Sequence, residues 1–365
     1  MSRKILCVVG ARPNFMKIAP IMAAFAKSQL HARLIHTGQH YNEAMNHQFF
    51  VDLGIPQPNI NLEVGSGSHA VQTAEIMKRF EPVVDQEKPA AILVVGDVNS
   101  TIACALVAAK KGIPVIHVEA GLRSHDRTMP EEINRVLTDQ ISDILFTTER
   151  MAKDNLLREG IQDERIHFVG NVMIDTLHNN LERAIPASQT CAGFIAGPYA
   201  VLTLHRPSNV DNRESLTSLL ETVNQVTAMM PVVFPLHPRT RSRIEEYGLN
   251  SMLENPRLLV LPPLGYLQML GLMKDAKLFL TDSGGIQEET TALGVPCITL
   301  RENTERQITV DEGTNVIVGQ DRIKILEAVK DVLETGGKTG RIPEYWDGRA
   351  SQRIVSILEA CLGAS

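Results

Sequence analysis

Reactive side chains follow short apolar runs at six points of the sequence: Gly10-Ala11-Arg12-Pro13, Gly96-Asp97, Glu119-Ala120-Gly121, His205-Arg206-Pro207, His237-Pro238 and Asp282-Ser283-Gly284-Gly285. A helix cap or a satisfied buried polar group accounts for any one of them. Together they concentrate acid, base and anion-binding groups at equivalent places, for which a purely structural protein has no use. Asp97, Glu119 and Glu131 form an acidic trio, the last within Pro130-Glu131-Glu132-Ile133-Asn134-Arg135. Carboxylates that share a pocket push at least one pKa upward, which lets an acid and a base coexist near neutrality. Glu132 stands about one helical turn before Arg135 and is read instead as its ion-pair partner.

Ser283-Gly284-Gly285 runs into Ile286-Gln287-Glu288-Glu289, a loop feeding a helix start whose open N–H groups and macrodipole attract phosphate. The bland alternative is a serine N-cap followed by acidic first-turn residues. Glu288 and Glu289 favour a nucleotide, because a carboxylate there reaches vicinal ribose hydroxyls while the amides hold a diphosphate. Arg12 and Lys17 flank the first strand-to-helix turn and suit the same diphosphate, with Arg301 and Arg306 as further cations. Taken alone, Lys17 reads more readily as a lysine on a solvated face, less so beside an arginine at a strand end.

The elements that must carry these residues are legible as apolar runs at 5–9, 34–37, 92–95, 115–118, 144–147 and 166–169, then 200–204, 232–235, 258–261, 278–281, 297–300 and 315–318. Near-continuous apolar character, with helix-length segments between runs, marks parallel strands covered on both faces. The expected fold class is α/β: two Rossmann-like doubly wound parallel-sheet domains facing across a cleft, since ligands of such sheets bind at the carboxyl ends of the strands. The expected boundaries are 1–170 for a domain carrying the carboxylates, 171–345 for a nucleotide-binding domain, and 346–365 for a terminal helix packing back on the first.

Bulk properties exclude several classes. With 365 residues, 44% hydrophobic, 21% charged and a net charge of −6, the chain is neither disordered nor fibrous and has no basic footprint for nucleic acid or an anionic membrane. Cys7, Cys104, Cys191, Cys297 and Cys361 are scattered and odd in number, as in a reduced protein. The N-terminal apolar run is too short for a signal sequence or a membrane span, so a cytoplasmic location is expected. His36, His40 and His47 lie close in sequence but lack a full ligand set, and no metal or nicotinamide is expected. Gly65-Ser66-Gly67-Ser68 imitates a dinucleotide fingerprint without following a buried strand.

Gly10-Ala11-Arg12-Pro13 with Lys17, Gly96-Asp97, His117-Val118-Glu119-Ala120-Gly121-Leu122-Arg123, Pro130-Glu131-Glu132-Ile133-Asn134-Arg135 and Thr281-Asp282-Ser283-Gly284-Gly285-Ile286-Gln287-Glu288-Glu289 closely resemble the non-hydrolysing UDP-N-acetylglucosamine 2-epimerases. The likeness runs along essentially the whole chain. It implies the two-domain architecture of nucleotide-sugar glycosyltransferases, a homodimer, and interconversion of UDP-N-acetylglucosamine and UDP-N-acetylmannosamine for surface polysaccharides. It also implies roles residue by residue. Asp97, Glu119 and Glu131 would be the acid–base carboxylates, and His205 would aid the leaving group. Arg12, Lys17, Leu264, Met269, Ser283, Gly284, Gly285, Glu289 and Arg306 would contact the nucleotide. Two alternatives fit the same motifs, a relative acting on a diacetamido uronic acid sugar and a nucleotide-sugar glycosyltransferase, although a transferase has no need of the acidic trio.

Overall fold

The computed structural model describes residues 4–38, 50–194 and 197–363; His40 and His47 lie outside the described residues, as does the side chain of Arg12. The chain divides into two compact units, Met1–Asn179 with Glu344–Ser365, and Asn180–Pro343.

The first unit is built on a seven-stranded sheet ordered β3-β2-β1-β4-β5-β6-β7, from β1 (Lys4–Val9), β2 (His31–His36), β3 (Ile60–Asn61), β4 (Ala91–Val95), β5 (Val115–Ala120), β6 (Ile144–Thr147) and β7 (Ile166–Phe168). The second has six strands ordered β10-β9-β8-β11-β12-β13: β8 (Ala200–Thr203), β9 (Val232–Pro235), β10 (Leu258–Leu261), β11 (Leu278–Thr281), β12 (Cys297–Thr299) and β13 (Asn315–Ile317). Every pairing in both sheets is parallel. Burial explains the composition. Leu6, Val8, Ile92 and Val94 alternate onto one face and meet Ile76, Phe80 and Val84 of the helix His69–Glu87. Cys7 and Leu93 on the opposite face are equally buried, so the interior of these strands is apolar on both faces.

Both sheets reverse direction once, between β1 and β4 in the first unit and between β8 and β11 in the second. The backbone diverges at such a switch point, which makes it the natural ligand position in an open α/β sheet.

The expected boundary at residue 170 is corrected. The helix Val172–Asn180 lies in the first unit up to Asn179 and is tied to it: Asp175 accepts backbone N–H bonds from Ala350 (3.0 Å) and Ser351 (2.7 Å), and Thr176 Oγ1 donates to the Met16 carbonyl. Burial raises the Asp175 carboxyl above its ordinary value, the largest of several influences on it. The returning segment is anchored by Trp346, buried, whose Nε1–H donates to the Thr148 carbonyl at 3.1 Å. Gly170 at φ +90° leaves room for the Tyr345 carbonyl, which a side chain there would strike. The terminal helix Ala350–Gly363 packs on the helix Arg12–Phe25 and accepts a bond at Glu359 from Gln29 N–H (2.9 Å). Among the described residues no helix is long and apolar enough to cross a membrane.

Candidate functional site

In the first unit the polar residues gather at the switch point. The helix after β1 begins at Arg12 with Pro13 in its first turn, where a missing N–H is harmless. Asn14 spans the divergence, its Oδ1 accepting from Ala11 N–H at 3.1 Å and its Nδ2 donating to the Val95 carbonyl of β4 at 2.9 Å. One turn further along, Lys17 Nζ donates to Glu119 Oε1 at 2.7 Å, with both side chains almost fully buried. Gly96 lies against this lysine: at φ +66°, a Cβ there would come 2.7 Å from Lys17 Nζ. Glu119 carries φ +74°, rare for a residue with a side chain, and the β5–β6 register shifts between Val118 and Ala120. Glu119 is therefore the extra residue of a bulge, a device that re-aims a side chain at about 1–3 kcal/mol of local strain.

Asp97 follows Gly96, and Arg135 NH2 pairs with its Oδ2 at 2.6 Å while Asn134 Nδ2 donates to its carbonyl at 2.9 Å. Arg135 NH1 also pairs with Glu132 Oε2 at 2.7 Å, as the spacing predicts. Glu132 accepts from the backbone N–H groups of Ser124 and His125 as well. Burial pushes its carboxyl up, but these donors and Arg135 hold it below its ordinary value on balance. Glu131 is half-buried on the first turn of the same helix, Pro130–Ile141, four residues before Arg135 and so on the same helical face. Elements brought together here thus carry Lys17, Asp97, Glu119 and Glu131.

The second unit repeats the arrangement with different chemistry. Asp282, after β11, is wholly buried; its Oδ2 accepts from His205 N–H (2.9 Å), Arg206 N–H (2.9 Å) and Asn209 Nδ2 (3.1 Å). His205 Nδ1 stands 2.8 Å from Asp282 Oδ1, and the imidazole is about one-third exposed at 35%. Burial raises Asp282, and His205 with the backbone donors more than offsets it, leaving the carboxyl below its ordinary value. One edge of the ring is therefore held by a buried carboxylate while about a third of the side chain stays exposed.

Ser283 occupies the N-cap of the helix Gly284–Leu293, yet its side chain makes no capping bond and no acid stands in the first turn. The bland reading of this segment is therefore not met. Three arginines surround the turn: Arg306 Nε pairs with Glu288 Oε1 at 2.8 Å, Arg301 NH2 with Glu305 Oε2 at 2.8 Å, and Arg206 NH2 stands 3.6 Å from Glu305 Oε1. Gly284 is fitted against Glu305, whose Oε1 would lie 2.7 Å from an added Cβ. Glu289 is buried and accepts from the Tyr266 hydroxyl at 2.9 Å; burial pushes its carboxyl up to about 8. Leu264 and Met269 flank the start of the helix Tyr266–Asp275 and pack, partly buried, on the cluster of Tyr199, Val233 and Phe279.

Reading by type gives Asn14, Asp282 and Arg206 no role of their own and gives Arg135 only Glu132 as a partner. Asn14 is legible as an amide three residues after the N-cap, able to cap backward; the others show their further roles through partners distant in sequence. Among the described residues no three His, Cys, Asp or Glu side chains are placed to share a metal ion.

Three comparisons bear on this geometry. The family model described as UDP-N-acetylglucosamine 2-epimerase matches residues 23–359. The UDP-N-acetylglucosamine 2-epimerase of Methanocaldococcus jannaschii is 45% identical over 362 residues, covering 97% of this chain and 98% of that protein. The UDP-2,3-diacetamido-2,3-dideoxy-D-glucuronate 2-epimerase of Pseudomonas aeruginosa is 44% identical over 367 residues, covering 97% and 99%. The crystal structure of the Methanocaldococcus jannaschii UDP-GlcNAc 2-epimerase in complex with UDP-GlcNAc and UDP superposes with a TM-score of 0.91, at 44% identity and with 98% of this chain and 99% of that one covered.

Proposed function

From the premise that the chain belongs to the UDP-N-acetylglucosamine 2-epimerase family, we propose that it is an isomerase interconverting UDP-N-acetylglucosamine and UDP-N-acetylmannosamine by inversion at C2 of the sugar. The observation that carries this reading is the division of chemistry between two switch points: buried and half-buried carboxylates at one, an arginine-lined glycine turn with an oriented histidine at the other.

The C2 hydrogen is not α to a carbonyl, so a carboxylate cannot remove it from the intact sugar at a useful rate. The C1–O bond breaks first or nearly so, its electron pair leaving on the diphosphate. Arg306 and the open amides at Gly284 and Gly285 receive that charge, His205 steadies it, and Glu289 takes the ribose hydroxyls. Arg12 and Lys17 act on the same diphosphate. With Lys17 paired to Glu119, the lysine also tracks the charge of that carboxylate. A carboxylate of the trio takes the C2 proton, the C1–C2 double bond forms, and 2-acetamidoglucal and UDP result. Protonation of the opposite face of C2 and return of UDP to C1 complete the inversion, so acid–base groups are needed on both faces. More than one carboxylate serves that need. The backbone around Leu264 and Met269 holds the uracil.

The test is incubation with UDP-N-acetylglucosamine in deuterated water without any acceptor sugar. The expected result is the manno epimer carrying deuterium at C2. No epimer and no exchange would refute the reading. The 44% identity to the Pseudomonas aeruginosa enzyme supports a second reading, the diacetamido uronic acid substrate. Offering both sugars separates them, since only one should exchange at a turnover-relevant rate. Family resemblance further supports a homodimer in the cytoplasm that feeds surface-polysaccharide synthesis; light scattering of the purified protein checks the dimer, and a monomer would refute it.

A further inference from the structure

We propose that His117 is a positioning residue that locks the Asp97 turn to the Glu119 turn, donating one hydrogen bond from each ring nitrogen. His117 lies on β5 with no exposed surface. Its Nε2 is 2.8 Å from the Gly96 carbonyl, and its Nδ1 is 2.7 Å from Asp139 Oδ1. The carbonyl has no hydrogen to give. Asp139 Oδ2 already accepts from Gly121 N–H at 3.0 Å and pairs with Arg123 NH2 at 2.7 Å. Facing a guanidinium and a backbone N–H, this carboxylate is an acceptor at both oxygens. Both imidazole nitrogens therefore carry hydrogen.

The consequence is geometric. Gly96 sits at φ +66° immediately before Asp97; Gly121 sits at φ +81° two residues after Glu119, and His117 two residues before it. One histidine–aspartate pair thus grips the turn that carries one carboxylate and both flanks of the bulge that carries the other. The helix Pro130–Ile141 completes the clamp, because Glu131, Arg135 and Asp139 recur every four residues and share one face. Along that face Arg135 holds the Asp97 side chain and Asp139 holds His117. Displacements of about 1 Å at reacting groups cost on the order of 100-fold in rate, which is the scale of effect such a clamp governs.

The kinetic arm of the test rests on the epimerase reading; a second arm does not. His117→Gln and His117→Asn are expected to lower kcat by about 100-fold while KM and the affinity for UDP stay within about threefold, as misplacement without lost binding requires. A kcat within threefold of the parent, or a fall in UDP affinity parallel to that in kcat, overturns the proposal. Nitrogen-15 NMR of the intact protein labelled at histidine reads the bonding directly. The His117 signal, assigned in the parent protein by through-bond correlation, should show hydrogen on both ring nitrogens at neutral pH, and a ring with one bare nitrogen overturns the proposal even where the variants fold poorly. A parent protein that epimerises no UDP-sugar strikes the functional reading instead and leaves the NMR arm to decide this one.

Discussion

Glu119 is the residue on which local strain and buried charge coincide, because its left-handed backbone and its ion pair with Lys17 belong to one bulge. Removing one partner of a buried pair leaves the other charge uncompensated, so Lys17→Met should destabilise the protein by about 3–5 kcal/mol, read as a lower urea midpoint. An unchanged midpoint would show that the pair is not buried in solution. Asp97→Asn and Glu131→Gln should each lower turnover by about 10²–10⁴-fold while calorimetric affinity for UDP is kept, since neither carboxylate is proposed to touch the nucleotide; Glu119→Gln should lower turnover as well and also disturb Lys17, its ion-pair partner. Glu289 gives a prediction in pH. Its carboxyl keeps its proton in the native chain up to about 8, whereas the unfolded chain releases it in the ordinary carboxylate range. Between those limits the native state holds the extra proton, so stability falls as pH rises. Glu289→Gln removes that slope: the melting temperature of the variant relative to the parent should climb from pH 5 to pH 8, and a constant difference would refute the assignment. The types and order of these residues were legible in the sequence. Their partners were not, since Lys17 and Glu119 are separated by about a hundred positions.

At the scale of elements, the apolar runs identified twelve strands, several of them to the residue: 144–147, 232–235, 258–261 and 278–281 coincide with β6, β9, β10 and β11. Strands buried on both faces write themselves as unbroken apolar stretches, which makes them easy to read. β3 was missed because Ile60–Asn61 is too short for any periodic signal. The bulge in β5 was also invisible, because a register shift between two strands leaves no mark in the pattern of either one. Gly121 at φ +81° faces the Ala152 carbonyl so closely that a Cβ has no room. Gly121→Ala should therefore push the helix Arg150–Arg158 off β5 and cost about 1–3 kcal/mol or more. Circular dichroism melts check this, and a loss below 0.5 kcal/mol, the ordinary range for a surface change, would refute it.

At the scale of the whole molecule, local sequence does not carry the division into units. The boundary expected at residue 170 falls two residues after β7, whereas the chain stays in the first unit until Asn179. The reason lies in contacts of Asp175 and Trp346 that span 175 to 198 positions, beyond any local pattern. Trp346→Ala should cost about 3–5 kcal/mol by emptying the site that the indole fills, measured as a shift in the first unit's urea transition. An unmoved transition would show that the segment returning at Glu344 contributes little.

That returning segment has a consequence for biosynthesis. The second unit is one uninterrupted stretch, Asn180–Pro343, whereas the first is completed by Glu344–Ser365. A ribosome releases the middle of the chain before the tail, so the later-numbered sheet can mature while the earlier one still lacks its closing helix, reversing the usual N-terminus-first sequence of events. Stalled nascent chains cut just after Pro343 should resist protease across the middle and remain open to it at the front.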